Sequence, residues 1–229
     1  MSAVQPGTLF IVSTPIGNMK DTTLRALEIL GSVDGVACED TRETQKLLMH
    51  HQIRVPMISF HDHSGQGRLQ GLIERLKDGQ RIALVTDNGT PLVSDPGFTL
   101  VREALEQGIP VEPVPGPSAC LAALVASGIP CEKFIFEGYL PQKAGGRRKT
   151  LEALREEKKT MVFYESPHRI VKTLEAMAEI FGERPACLAR EITKKFEEFL
   201  RGNLKEILTE VLKRNKLGEM VIIVQGLRD

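Results

Sequence analysis

The chain holds 229 residues, 41% hydrophobic and 26% charged, a composition that supports packed cores and excludes general disorder. Lysine plus arginine and aspartate plus glutamate each number 30, so the zero net charge excludes a uniformly basic nucleic-acid binder and makes any RNA contact local. No run approaches the ~18 apolar residues of a membrane span, and MSAVQPG at the start lacks a basic segment followed by an apolar one, so a soluble, cytoplasmic protein without a membrane partner is expected.

In chain order, short β-branched and apolar runs at 9–13, 35–38, 57–60, 82–86 and 111–114 alternate with helix-period segments at 22–31, 43–50, 67–77 and 99–106. That alternation predicts a largely parallel sheet covered by helices. Asp21 is placed to start the first helix and Gly31 to stop it, while Asp78-Gly79 and Gln107-Gly108 end two others. Beyond residue 116, strands are expected at 134–137, 161–164, 186–190 and 220–224, with helices at 149–157, 170–181 and 204–214. Two α/β domains, 1–116 and 117–229, follow from the length and this order. Residues 138–148, GYLPQKAGGRR, combine Pro, paired Gly and basic side chains and are expected to form a mobile loop.

Ligands of open parallel sheets sit beyond the carboxyl ends of the strands, so the segments following each strand are the first candidates for a site. The first is Ser13-Thr14-Pro15-Ile16-Gly17-Asn18, where Pro and Gly allow close backbone approach to a ligand or form a plain turn. The second, Glu39-Asp40-Thr41-Arg42, is compatible with a helix cap plus ion pair or with a polar site. Asp87 to Gly97, with two Gly, two Pro and two Asp and no helical period, is hard to explain as a simple connection. After the fifth strand, Pro115-Gly116-Pro117-Ser118-Ala119 enters a small-residue helix, where Ser118 either caps the helix or holds a ligand carboxylate. A pocket of Gly, Pro, Thr, Ser and backbone suits a zwitterionic nucleoside such as S-adenosylmethionine. Neither GxxxxGK[ST] nor GxSxG occurs, so nothing supports ATP or serine hydrolysis.

The cysteines at 38, 120, 131 and 187 lack metal spacing and are expected to be reduced, buried thiols. His50, His51, His61 and His63 are expected to be surface or structural residues, and no metal is expected.

The ordered motifs TPIGN, EDTR, DNGTPLVSDPG, PGPSA, FYESPHR and REITKKFEE resemble the tetrapyrrole-methylase superfamily, and within it the bacterial 16S ribosomal RNA cytidine 2′-O-methyltransferases, from Gly7 to Gly226. The resemblance implies two α/β domains with mixed and parallel sheets, an S-adenosylmethionine cleft between them, and a homodimer acting on 16S rRNA within the small ribosomal subunit. Carried over by position, the cofactor residues are Pro15, Ile16, Gly17, Thr90, Pro91, Val93, Ser118, Ala119, Tyr164 and Glu165. The family's usual DAGTP is DNGTP here, with Asn88 in place of Ala. A ribose 2′-hydroxyl is a weak nucleophile that needs a base or an oxyanion partner. The catalytic candidates are Asp40, Asp87, Glu165, Arg190, Glu191 and Lys194, although the spacing of Glu191 and Lys194 also fits an ordinary surface pair on a helix. The RNA-contacting candidates are Arg42, Arg147, Arg148, His168 and Arg169. Two alternatives remain: a tetrapyrrole-type small-molecule methyltransferase, and a non-catalytic ribosome-associated RNA-binding protein. The aromatic content of 5% argues against the latter by offering little stacking surface.

Overall fold

The computed structural model describes residues 7–61, 65–213 and 218–228. The expected helix end at Arg214 and the side chain of His63 lie outside these residues. The chain divides into two compact units, Met1–Ser118 and Ala119–Asp229, each α/β.

The first unit contains β1 (Leu9–Val12), α1 (Leu24–Leu30), β2 (Gly35–Cys38), α2 (Thr41–His50), β3 (Met57–Ser59), α3 (Gln66–Lys77), β4 (Ile82–Val85), α4 (Phe98–Glu106) and β5 (Val111–Val114). Its five strands are parallel in the order β3-β2-β4-β1-β5. LFIV, GVAC and IALV are apolar throughout because both faces of the sheet are covered. Alternate side chains divide between two cores: Phe10, Val12 and Val85 pack on one face with Leu30 and Leu47, while Leu9, Ile82 and Leu84 pack on the other with Leu76 and Leu100. Thr23, rather than Asp21, caps α1 by accepting from the Ala26 amide, and Asp21 falls in a short 3-10 turn, Met19–Asp21.

The second unit contains α5 (Ala119–Ala126), β6 (Phe134–Tyr139), α6 (Ala144–Ala153), β7 (Thr160–Glu165), α7 (Ile170–Phe181), β8 (Pro185–Arg190), β9 (Glu198–Asn203), α8 (Leu204–Leu212) and β10 (Met220–Val224). Its mixed sheet runs β6-β7-β10-β8-β9, with β6 and β7 parallel and β10 antiparallel to both of its neighbours. Met161, Phe163, Leu174, Met177, Ile207 and Ile222 form its core. A reciprocal capping box between Asn203 and Glu206 opens α8.

Two sequence expectations change here. The segment 138–148 is loop only over 140–143: β6 extends to Tyr139, and α6 takes in Ala144 to Arg148 and ends at Ala153. Edge strand β9 was not anticipated. No helix among the described residues is long and apolar enough to cross a membrane.

Candidate active site

In the first unit, parallel strands deliver all their following loops to one edge. Thr14, just after β1, pairs with Gly89, just after β4: the Thr14 amide donates to the Gly89 carbonyl at 2.8 Å and the Gly89 amide returns the bond at 3.2 Å. The buried Thr14 hydroxyl donates to the Thr86 carbonyl at 3.1 Å. Thr90 then joins three loops, its hydroxyl lying 3.1 Å from Ser13 Oγ and donating to the Pro117 carbonyl at 3.0 Å. Gly89 has φ +90, and a Cβ there would lie 3.2 Å from Ile16 Cγ2. Gly116 packs so closely that a Cβ would lie 2.9 Å from Ser13 Cβ. Pro15, Ile16, Gly17, Thr90, Pro91 and Val93 therefore belong to loops cross-linked mainly through backbone and hydroxyl groups. Ser118 closes the first unit, and Ala119 opens α5 in the second.

The loop from Leu92 to Gly97 is conformationally strained, with left-handed φ of 71° at Leu92 and 67° at Ser94. Beside it an open cavity of about 610 Å³ is lined by Glu39, Asp40, His61, Asp87, Ser94 and Asp95. Asp40 caps α2 by accepting from the Arg42 amide and pairs with the Arg42 guanidinium at 2.6 Å, the cap-plus-ion-pair alternative, and Asp87 accepts from the Asp40 amide at 3.1 Å, which brings EDTR and DNGTP together. Their carboxyls differ in character. The Arg42 guanidinium and amide hydrogen-bond Asp40 and hold its carboxyl at about 2. Burial pushes the Asp87 carboxyl up, and it pushes Asp95 up to about 6 against the opposing effect of the Thr86 hydroxyl. Asp95 lies inside the DNGTPLVSDPG motif and Ser13 directly before TPIGN, yet nothing in linear spacing reveals that Asp95 folds back toward Asp87. His61, expected to be a surface or structural residue, lines this cavity.

In the second unit, FYESPHR forms the end of β7 and the turn into α7. Glu165 is 2% exposed and saturated: it accepts from the Ser166 amide at 2.8 Å and from the Thr173 hydroxyl at 2.5 Å, and pairs with Arg169 at 3.3 Å. That enclosure makes it a structural anchor of the turn, correcting the expectation that it acts as a base or holds cofactor. Arg169 is drawn inward as well, donating to the Leu140 carbonyl at 2.5 Å, whereas His168 is exposed. The Tyr164 hydroxyl accepts from the Cys120 amide in the first turn of α5 at 3.2 Å.

The REITKKFEE segment is not helical. Glu191 and Thr193 have φ of 51° and 67°, and Lys194 is clasped between the Glu191 and Glu219 carboxylates at 3.1 and 3.0 Å. The helical surface-pair alternative is excluded. Arg190 pairs with Glu198 on β9 at 3.3 Å. Arg147 is only 7% exposed and donates toward the Gln142 carbonyl, because α6 turns it inward; it is not placed to meet RNA. Arg148 remains on the surface, paired with Glu152 and Glu179. Cys38, Cys120 and Cys187 are buried and Cys131 is exposed. Among the described residues no group of three or more His, Cys, Asp or Glu is disposed to hold a metal.

The family described as Tetrapyrrole (Corrin/Porphyrin) Methylases matches residues 8–208. Among curated proteins, ribosomal RNA small subunit methyltransferase I of Haemophilus influenzae is 51% identical, covering 96% of this chain and 79% of its own length. Its counterparts in Bacillus subtilis and Thermotoga maritima are 45% and 44% identical over 96% of this chain, and cover 75% and 99% of their own. Among solved structures, the methyltransferase CobJ shares the fold at a TM-score of 0.71 and 20% identity, covering 96% of this chain and 94% of its own. A uroporphyrin-III C-methyltransferase from Thermus thermophilus complexed with S-adenyl homocysteine gives 0.65 and 19%, covering 95% and 97%. From the matched span and the high identity together, the chain belongs to the tetrapyrrole (corrin/porphyrin) methylase family.

Proposed function

We propose that this protein transfers a methyl group from S-adenosylmethionine to 16S ribosomal RNA of the small ribosomal subunit, at the ribose 2′-oxygen of a cytidine, and that it works as a cytoplasmic homodimer. The observation that carries this reading is the identity of 44–51% across 96% of the chain with proteins named for small-subunit rRNA methylation.

The loops at the edge of the first sheet fit the methyl donor. Gly89, where a Cβ would crowd Ile16 at 3.2 Å, keeps this edge free of a further side chain, and the Ser13 and Thr90 hydroxyls and the Pro117 carbonyl belong to the same loops. Pro15, Ile16, Gly17, Thr90, Pro91, Val93 and Ser118 of the first unit would hold it. When bound, it supplies an activated methyl group, and alignment of acceptor and donor provides much of the rate.

The electrostatics support one assignment of the residues that handle the acceptor proton. Asp40, held ionised by Arg42, is a weak base. Asp87 and Asp95, raised by burial toward the working pH, are better matched to deprotonating a ribose hydroxyl. The exposed His168, and the exposed Arg42 and Arg148 if they exchange their carboxylate partners, would meet phosphates.

The test is incubation of purified protein with methyl-labelled S-adenosylmethionine and either small ribosomal subunits or a cobalt-porphyrinoid. Label in 16S rRNA supports the reading; label in the porphyrinoid alone replaces it. A non-catalytic RNA binder would label neither and would bind no S-adenosylmethionine.

A further inference from the structure

The chain carries 9 Phe, 2 Tyr and no Trp, so an exposed ring is informative. Two are found at one edge of the second sheet. Strand register places Tyr139 beside Tyr164, and places Glu165 and Arg190 opposite Met220, so the ends of β6, β7 and β8 share that edge with the turn from β8 to β9. There Tyr139 is 56% and Phe196 64% exposed. Three strand spacings separate β6 from β8 in the sheet order, about 14 Å.

Phe196 is not exposed because its turn is loose. The Glu191 carboxylate accepts from the Glu219 amide at 3.0 Å, Lys194 bridges Glu191 and Glu219, and the Thr193 amide donates to the Glu197 carboxylate at 2.6 Å. The Glu197 amide closes the turn on the Lys194 carbonyl at 3.2 Å. This network grips the chain on both sides of Phe196 and holds its ring outward. Lys195 Nζ stands 5.5 Å from the ring centroid, leaving the remaining ring surface to solvent. Lys195 and the exposed His168 stand at this edge with the Glu197 and Glu219 carboxylates, a polar surround unlike that of an apolar protein contact, in which Lys195 is the cation set against the ring.

An outward ring beside a flexible cation is the chemistry of single-stranded nucleic acid: the π-face takes a base and the cation its phosphate. We infer that Phe196 is a stacking platform for an unpaired base of the substrate RNA, with Lys195 taking the adjacent phosphate. This rests on the rRNA reading above and adds to it a specific point of contact.

The absence of tryptophan allows a direct test. Phe196→Trp introduces a single indole, and titration with a cytidine-containing single-stranded oligoribonucleotide should quench its fluorescence saturably, more weakly as salt rises. With small ribosomal subunits as substrate, Phe196→Ala and Phe196→Leu should raise KM about tenfold, leaving kcat and S-adenosylmethionine affinity unchanged, and Phe196→Tyr should restore KM. Because the side chain is exposed, all three should melt with the wild type. Absence of quenching, an unchanged KM in the Ala and Leu variants, or a fall in kcat alone would overturn the inference. Failure of the wild type to methylate subunit RNA would instead reject the rRNA reading, and the oligonucleotide titration would still decide whether Phe196 stacks bases.

Discussion

Thr14 and Gly89 exchange both backbone hydrogen bonds, at 2.8 and 3.2 Å, so the loops after the first and fourth strands form a miniature antiparallel ladder across the edge of a parallel sheet. The ladder fixes TPIGN against DNGTP before any ligand arrives, and it exists only because Gly89 reaches φ +90 without a side chain to meet Ile16.

Gly89→Ala should therefore cost about 1–3 kcal/mol through its left-handed backbone, lowering the melting temperature by several degrees and weakening S-adenosylmethionine binding in calorimetry. Gly71→Ala on α3, where an added Cβ meets nothing within 4 Å, should leave both unchanged or raise stability slightly. Equal effects of the two substitutions would remove the ladder from the account.

Glu165 and Asp87 should separate stability from chemistry. Glu165→Gln breaks a buried pair with Arg169 and should cost about 3–5 kcal/mol in denaturant unfolding. Activity per folded molecule should be largely retained. Asp87→Asn removes a carboxyl that burial already disfavours in its ionised form, so the fold should hold while methyl transfer falls at least a hundredfold. Loss of turnover in fully folded Glu165→Gln would return Glu165 to the catalytic set.

The carboxyl of Asp95, raised by burial from 3.8 to about 6, binds its proton more tightly in the folded chain than in the unfolded one. Its contribution to stability is fully present below pH 3.8 and is lost as pH rises through about 6. Urea unfolding followed from pH 4 to 8 should show this decline superimposed on the rest of the protein, and Asp95→Asn should flatten it and raise stability above pH 6. An identical pH profile in the variant would contradict the placement of Asp95.

Much of the first unit is legible in the chain itself, because apolar runs such as LFIV and IALV alternate with helix-period segments and leave Pro and Gly at the strand ends. The second unit is less so. The two glycines before Arg147 look like loop, yet they sit at the start of α6, where Arg147 and Leu151 turn inward and outweigh their poor helix propensity. The three-residue spacing of Glu191 and Lys194 is the same on a helix or in a turn; only the left-handed φ values of Glu191 and Thr193 distinguish them. Edge strand β9 is partly exposed and carries no continuous apolar run, so its pairing with β8 is a tertiary effect. Glu165, read as an acid or base by its motif, is recognisable as an anchor only once Thr173 and Arg169 are seen around it.

The most direct test of the central claim is nuclease mapping and nucleoside mass spectrometry of 16S rRNA after small subunits have been incubated with the protein and methyl-labelled S-adenosylmethionine. The account predicts label in 2′-O-methylcytidine at one position. Label on a base, on ribosomal protein, or nowhere would contradict it.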